Sequence, residues 1–210
     1  MKIEYVSFKN RAARSGYIRD RFSHLLAGKI LDVGCDMAVL KKLLPDAEYT
    51  GVDIAGAPDI KLDLESIDKL PFNDGTFDCV ICSDVLEHLD NLHHIFDELV
   101  RVAKNHIIIS LPNNWVNARL PISRGKGSFG HYGLPAVPPP DRHKWFFGLS
   151  EAINFIKKKS ETSAVTVAEM YINEKPRPVL LRSALKLMNA SRERYLNRYA
   201  HTVWFVLKKK

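Results

Sequence analysis

The chain has 210 residues, of which 46% are hydrophobic, and a formal net charge of +7. That balance fits one globular domain and excludes a disordered or low-complexity chain. No apolar run approaches the ~18 residues of a membrane helix, and the opening MKIEYVSFKN carries charge where a signal peptide needs an apolar block, so a cytoplasmic protein is expected. The charge is uneven: residues 1–30 carry net +5, residues 31–150 net −6 and residues 151–210 net +8. Basic ends suit an anionic acceptor or RNA, although a solvated surface is the commoner origin of such charge.

Residues 1–27 read as a short strand or arm and then a helix, with Ala12, Ile18, Phe22, Leu25 and Leu26 at helical spacing. Gly28 is a helix stop. Residues 29–53 then read as strand, tight turn, helix and strand. Ile30, Leu31 and Val33 form the apolar run of a buried parallel strand. Gly34 breaks it where the backbone must turn sharply. Leu40, Leu43 and Leu44 give a helical face that Pro45 ends. Asp53 closes the next strand, 19 positions after Gly34, about the ~20-residue spacing at which an acid reaches a ribose hydroxyl in a nucleotide-binding βαβ unit. A third strand is expected at residues 59–64, a fourth at 77–83 and a fifth at 105–111, the last with Ile107, Ile108 and Ile109 buried on both faces.

These motifs carry a resemblance. DVGC after a strand, followed by GVD, is similar to the first two motifs of the class I S-adenosylmethionine-dependent methyltransferases. LPFNDGTFDCVICSDVLEHL resembles the fourth-strand region of the type 11, small-molecule-like branch of that superfamily, and FDELVRVAKNHIIISLPN the helix and strand that follow. The resemblance covers residues 29–112 well and the remainder loosely. It implies an α/β fold: a Rossmann-like, seven-stranded, mostly parallel sheet with an antiparallel last strand and helices on both faces. It implies S-adenosyl-L-methionine as cofactor, in contact with Asp32, Gly34, Cys35, Asp53, Ile54, Asp63, Leu64, Ser83, Asp84 and His88. Within that set, Asp32 serves the cofactor's amino group, Asp63 the adenine amino group, and His88 lines the pocket. The family's G-x-G-x-G loop is here Gly34-Cys35-Asp36-Met37-Ala38, so only the first glycine is kept and a carboxylate stands beside the expected cofactor. The Asn/Asp-Pro-Pro-aromatic motif of enzymes that methylate planar amino groups is absent after the fourth strand, where the chain reads Ser83-Asp84-Val85-Leu86.

Other constellations read as structural. Cys79 and Cys82 form a C-x-x-C, but positions three apart in a strand point to opposite faces. Glu87, His88, His93 and His94 are expected on the helix that follows the fourth strand. His88 and His93 are five apart, which is not one helix face, and H-E-x-x-H is absent, so no metal site is expected.

Residues 113–147 lack periodicity but hold Trp115, Phe129, His131, Tyr132, His143, Trp145 and Phe146. A segment so long and so aromatic reads as a lid or substrate wall, at the carboxyl end of a central strand, where open α/β sheets place ligands. His131 and His143 are the candidate catalytic bases for a hydroxyl acceptor. Ser150 is the expected cap of the next helix, residues 164–172 a sixth strand, residues 175–199 a basic amphipathic helical insertion, and residues 202–207 the last strand. The chain is thus expected to be a single domain over 1–210, with an N-terminal cap helix in 1–28. The expected function is methyl transfer to a small-molecule acceptor. The alternatives are an RNA methyltransferase, favoured by the basic ends, and a non-catalytic partner protein of the same fold, favoured by the incomplete glycine loop. A nicotinamide dehydrogenase is disfavoured by the missing G-x-G-x-x-G.

Overall fold

A computed structural model describes residues 1–127, 130–139 and 142–210; Phe129 of the expected lid lies outside the described residues. Sheet formation begins with segments that are apolar on both sides. In β2 (Lys29–Val33), Ile30, Leu31 and Val33 are fully buried, as are Cys79, Val80, Ile81 and Cys82 of β5 (Phe77–Ser83). Such strands need cover on both faces, which parallel sheets with crossover helices supply. Among the described residues one eight-stranded sheet forms in the order β1-β7-β8-β6-β5-β2-β3-β4. It also contains β1 (Lys2–Tyr5), β3 (Glu48–Asp53), β4 (Ile60–Lys61), β6 (Ala103–Pro112), β7 (Val165–Glu174) and β8 (Ala200–Lys209). Every pairing is parallel except those of β8, which runs antiparallel to both β6 and β7.

The mostly parallel sheet with an antiparallel last strand is as expected; the eighth strand is the N-terminal arm, whose Lys2–Tyr5 adds to the β7 edge. The third expected strand shrinks to the two residues of β4, which is exposed at the other edge. Leu31, Val33, Cys82, Ile107 and Ile109 pack on one face of the sheet, and Ile30, Cys79, Ile81 and Ile108 on the other. Cys79 and Cys82 therefore lie on opposite faces as their spacing requires, and both are free thiols.

Helices cover both faces. The first, α1 (Arg11–Phe22), starts where Asn10 accepts a hydrogen bond from the Ala13 amide at 2.9 Å, a side-chain N-cap. It buries Ile18 and Phe22 beside the fully buried Trp204 of β8, whose indole donates to Asn173 at 2.6 Å. The short α2 (Val39–Leu43) follows β2. On the opposite face, α3 (Leu92–Val102) buries Leu92, Ile95, Phe96, Leu99 and Val102. Its Arg101 forks to both oxygens of Glu98 at 2.7 Å and to the carbonyls of Leu70 and Phe72, which ties down the loop before β5.

Residues 113–147 contain a helix, α4 (Asn114–Ser123), where no periodicity was legible. Its apolar residues do not share a face: Ala118 is buried while Trp115, Leu120 and Ile122 are exposed. The segment is held by single polar side chains instead. Asn113 donates to the carbonyls of Asn197 and Ala200 at 2.8 and 2.7 Å, Asn114 to that of Trp145 at 2.8 Å, and the Trp145 indole to that of Leu89 at 2.7 Å. The next helix, α5 (Leu149–Thr162), is capped at Gly148, two residues earlier than expected. Glu151 accepts from the Gly148 amide at 2.8 Å, and Ser150 donates its hydroxyl to Glu193. The basic insertion divides into α6 (Val179–Leu187) and α7 (Arg192–Tyr199), the latter capped by Ser191. No helix among the described residues is long and apolar enough to cross a membrane.

Candidate active site

The carboxyl ends of β2, β3, β5 and β6 converge on one edge of the sheet, the position open α/β folds use for ligands. The turn after β2 is shaped by backbone geometry. Gly34 has φ +80°, and a Cβ there would stand 2.2 Å from a Val85 methyl carbon, so no other residue fits. Asp36 and Ala38, which occupy the other two glycine positions of the motif, have φ +49° and +48°. The loop thus keeps a left-handed path without the residue that adopts it at no cost; each such residue stores on the order of 1 kcal/mol.

What holds the loop there is Asp53 at the end of β3. One of its carboxylate oxygens accepts from the Asp36 amide at 2.7 Å and the other from the Ala55 amide at 3.0 Å. The Asp36 carbonyl in turn accepts from the Ala57 amide at 2.7 Å. The Asp36 carboxylate pairs with Arg11 of α1 at 2.7 Å. Three residues on, Arg14 pairs with Asp84 at 2.7 Å, so the first turns of α1 are fastened to the loops after β2 and after β5. Asp84 is also left-handed, at φ +51°, and accepts from the Ser110 hydroxyl at 2.5 Å, while Ser83 and Ser110 share a hydrogen bond at 3.0 Å.

Beneath the loop, Asp32 is buried and accepts from the Tyr49 hydroxyl at 2.5 Å. Burial outweighs that hydrogen bond and pushes its carboxyl up to about 6. Burial, with the Asp32 and Asp53 carboxylates adding to it, pushes the Cys35 thiol up to about 12, so Cys35 packs and is not a nucleophile. Asp63 accepts from the Glu65 amide at 3.0 Å in a turn, with Leu64 buried beside it. Ile54 and Met37 are each 56% exposed at the rim. Met37 and Asp59 escape sequence reasoning: Asp59 accepts from the Gly51 amide at 2.9 Å and pairs with Lys41, but a lone loop carboxylate gives no motif.

A second cluster lies after β5. Glu87, 1% exposed, and His88 sit in a short turn, and His131, Tyr132 and residues 142–145 lie against it. His143 stands edge-on to His88 with ring centroids 4.5 Å apart and is stacked on His131 at 4.7 Å. The Tyr132 hydroxyl and His143 Nδ1 are 2.9 Å apart, and His88 Nδ1 lies 3.2 Å from the Arg142 carbonyl oxygen. Burial, then the Glu87 and Asp84 carboxylates, raise the Tyr132 phenol, so it stays protonated. Glu87, His88 and His143 bring three ligand atoms within 4.8 Å of one another. Contrary to the expectation of no metal site, the group does not lie on one helix: its third member comes from 55 residues downstream of His88. His93 and His94 stay apart from it: His93 packs on Phe155 and His94 bonds the Asp68 carbonyl. Lys144 fastens the returning chain, its amide donating to the Glu87 carbonyl at 2.8 Å and its ammonium pairing with Glu65 and Asp90. Glu87 also borders a cavity of about 180 Å³ walled by Leu92, Leu111, Phe147 and Phe155.

Residues 31–109 match the family described as a methyltransferase domain. No curated protein matches the sequence. Among solved structures, the chain is similar to a SAM-dependent methyltransferase from Archaeoglobus fulgidus, with 19% identity, 95% of each chain covered and a TM-score of 0.60. It is similar to the magnesium protoporphyrin IX methyltransferase of Synechocystis PCC 6803 with bound SAH, at 16% identity over 99% of this chain and 90% of that one, TM-score 0.55. It is also similar to the small RNA methyltransferase HEN1, at 17% identity over 100% of this chain and 27% of that one, TM-score 0.59.

Proposed function

We propose a small-molecule acceptor for this chain, whose core is a methyltransferase domain and whose fold is that of the S-adenosylmethionine-dependent methyltransferases. The observation that carries the reading is the cradle formed by Gly34, the left-handed Asp36 and Ala38, and Asp53. It preserves the path of a glycine loop in a sequence that has lost two of the glycines. Each Asp53 oxygen accepts one backbone amide, and a carboxylate oxygen has room for a second donor, so Asp53 can take both ribose hydroxyls while still holding the loop. Asp32 faces the amino group, Asp63 and Leu64 the adenine, and the exposed Ile54 and Met37 supply apolar cover for its ring. Cys35 lies under the loop, and Ser83, Asp84 and His88 border the methyl-donating end.

The cofactor supplies an activated methyl group; the protein must hold the acceptor in line with it at ~3 Å and keep water out. Residues 113–147 form the wall that does this. For a hydroxyl acceptor, His131 and His143 are the groups to which its proton passes, with Tyr132 orienting His143. The cavity beside Glu87, about 180 Å³ with mostly apolar walls, suits a small ring more than a polynucleotide. The acidic middle of the chain, net −6 over residues 31–150, also opposes a phosphate backbone. The test is incubation with methyl-labelled S-adenosylmethionine and, separately, a metabolite extract and total RNA. Label is expected in the small-molecule fraction; label confined to RNA would overturn the acceptor class.

A further inference from the structure

We infer that Glu87, His88 and His143 form a binding site for a divalent first-row transition-metal cation. Three observations converge. The three donor atoms already lie within 4.8 Å of one another, so a contraction on the order of 1 Å brings them to the separation of ligands that share one ion at ~2.1 Å. Each histidine is oriented through its other nitrogen. His88 Nδ1 faces the Arg142 carbonyl at 3.2 Å and His143 Nδ1 the Tyr132 hydroxyl at 2.9 Å, which leaves both Nε2 atoms available to an ion, as outer hydrogen bonds do for metal-ligating histidines. Finally, the Glu87 carboxylate is buried, at 1% exposure, with one oxygen 3.8 Å from His88 Nε2.

Two imidazoles and one carboxylate select zinc, manganese, cobalt or iron(II) over magnesium or calcium. Three protein ligands leave coordination positions open, the pattern of catalytic and not of structural sites. The open positions suit an oxygen of the acceptor, and this part of the inference rests on the methyltransferase reading above. It narrows the acceptor class to molecules that present a hydroxyl with a second oxygen on the neighbouring carbon, able to chelate. In that arrangement His143 is a ligand, and His131 is left as the proton acceptor.

The test uses the full chain, stripped with a chelator and titrated with cobalt(II). One equivalent should bind with a visible ligand-field band and two paramagnetically shifted imidazole N–H resonances. His143→Ala and Glu87→Gln should each weaken binding at least about tenfold, while His94→Ala should not change it. S-adenosylhomocysteine titration of each variant shows whether the fold survives; if a variant fails to fold, the two imidazole resonances of the unaltered protein decide. No band at millimolar cobalt, or binding unchanged in His143→Ala, would overturn the site. If S-adenosylhomocysteine still binds in that case, the cation site alone falls and the methyltransferase reading stands.

Discussion

Residues 29–112, the half proposed to hold the nucleotide, and the described residues of 113–147, its proposed roof, are built by different physics. The first is ordered by periodic apolar burial: β2, β5 and β6 are buried on both faces, and α3 buries one stripe. The second has a helix without an apolar face and is ordered by individual hydrogen bonds from Asn113, Asn114 and Trp145 and by the Lys144 ion pairs. Five substitutions probe the two regimes.

The largest effect is expected in the nucleotide half. Asp53→Ala removes the carboxylate that accepts from the Asp36 and Ala55 amides and that is proposed to accept from the ribose. A loss of about 2–4 kcal/mol, roughly 30- to 1000-fold in cofactor affinity, is expected by calorimetry with S-adenosylhomocysteine; unchanged affinity sinks the assignment. In the roof, Asn113→Ala strips the buried Ala200 carbonyl and the half-buried Asn197 carbonyl of their donor. It should cost about 1–3 kcal/mol in urea unfolding and speed hydrogen exchange across residues 113–127 while leaving α3 unchanged. Uniform loss of protection would show that the two regions are one unit.

This contrast also explains how much could be read from the sequence. Most strands and helices over residues 29–112 follow from spacing, apart from the third strand, cut to Ile60–Lys61, and the helix start, moved from Glu87 to Leu92; the cofactor candidates Asp32, Gly34 and Asp53 follow from their places at strand ends. The α4 helix and the Gly148 cap were hidden because Trp115, Leu120 and Ile122 carry no period and because the capping acceptor belongs to Glu151. The junction of His88 with His143 was hidden because it is made by chain return over 55 residues, which no local pattern encodes.

A smaller, pH-dependent effect tests Asp32. Its carboxyl, ordinarily near 3.8, stands at about 6 in the folded chain because it is buried. Between those values the folded state binds the proton more tightly, so this group's contribution to stability falls as pH rises from about 4 to about 6 and then levels. Asp32→Asn removes that loss. The variant should gain on the parent by about 2–3 kcal/mol between pH 4 and pH 7, and should bind the cofactor less well. A pH-independent difference between the two proteins would refute the assignment.

The smallest effect concerns the left-handed loop. Asp36→Gly relieves φ +49° at the cost of the Arg11 pair, and Ala38→Gly relieves φ +48° at no such cost. Ala38→Gly should therefore stabilise the chain by about 0.5–1 kcal/mol, with Asp36→Gly near neutral and cofactor affinity within about tenfold in both. A large destabilisation by Ala38→Gly would mean that the loop takes another path.

The central claim is that this loop still binds the cofactor. Calorimetric titration of the unaltered protein with S-adenosylhomocysteine tests it most directly. One site with a dissociation constant in the micromolar range is the expected result. Absence of binding at millimolar ligand would contradict the account, and recovery of binding in Asp36→Gly under the same conditions would identify the chain as a partner protein that has lost catalysis through its glycine loop.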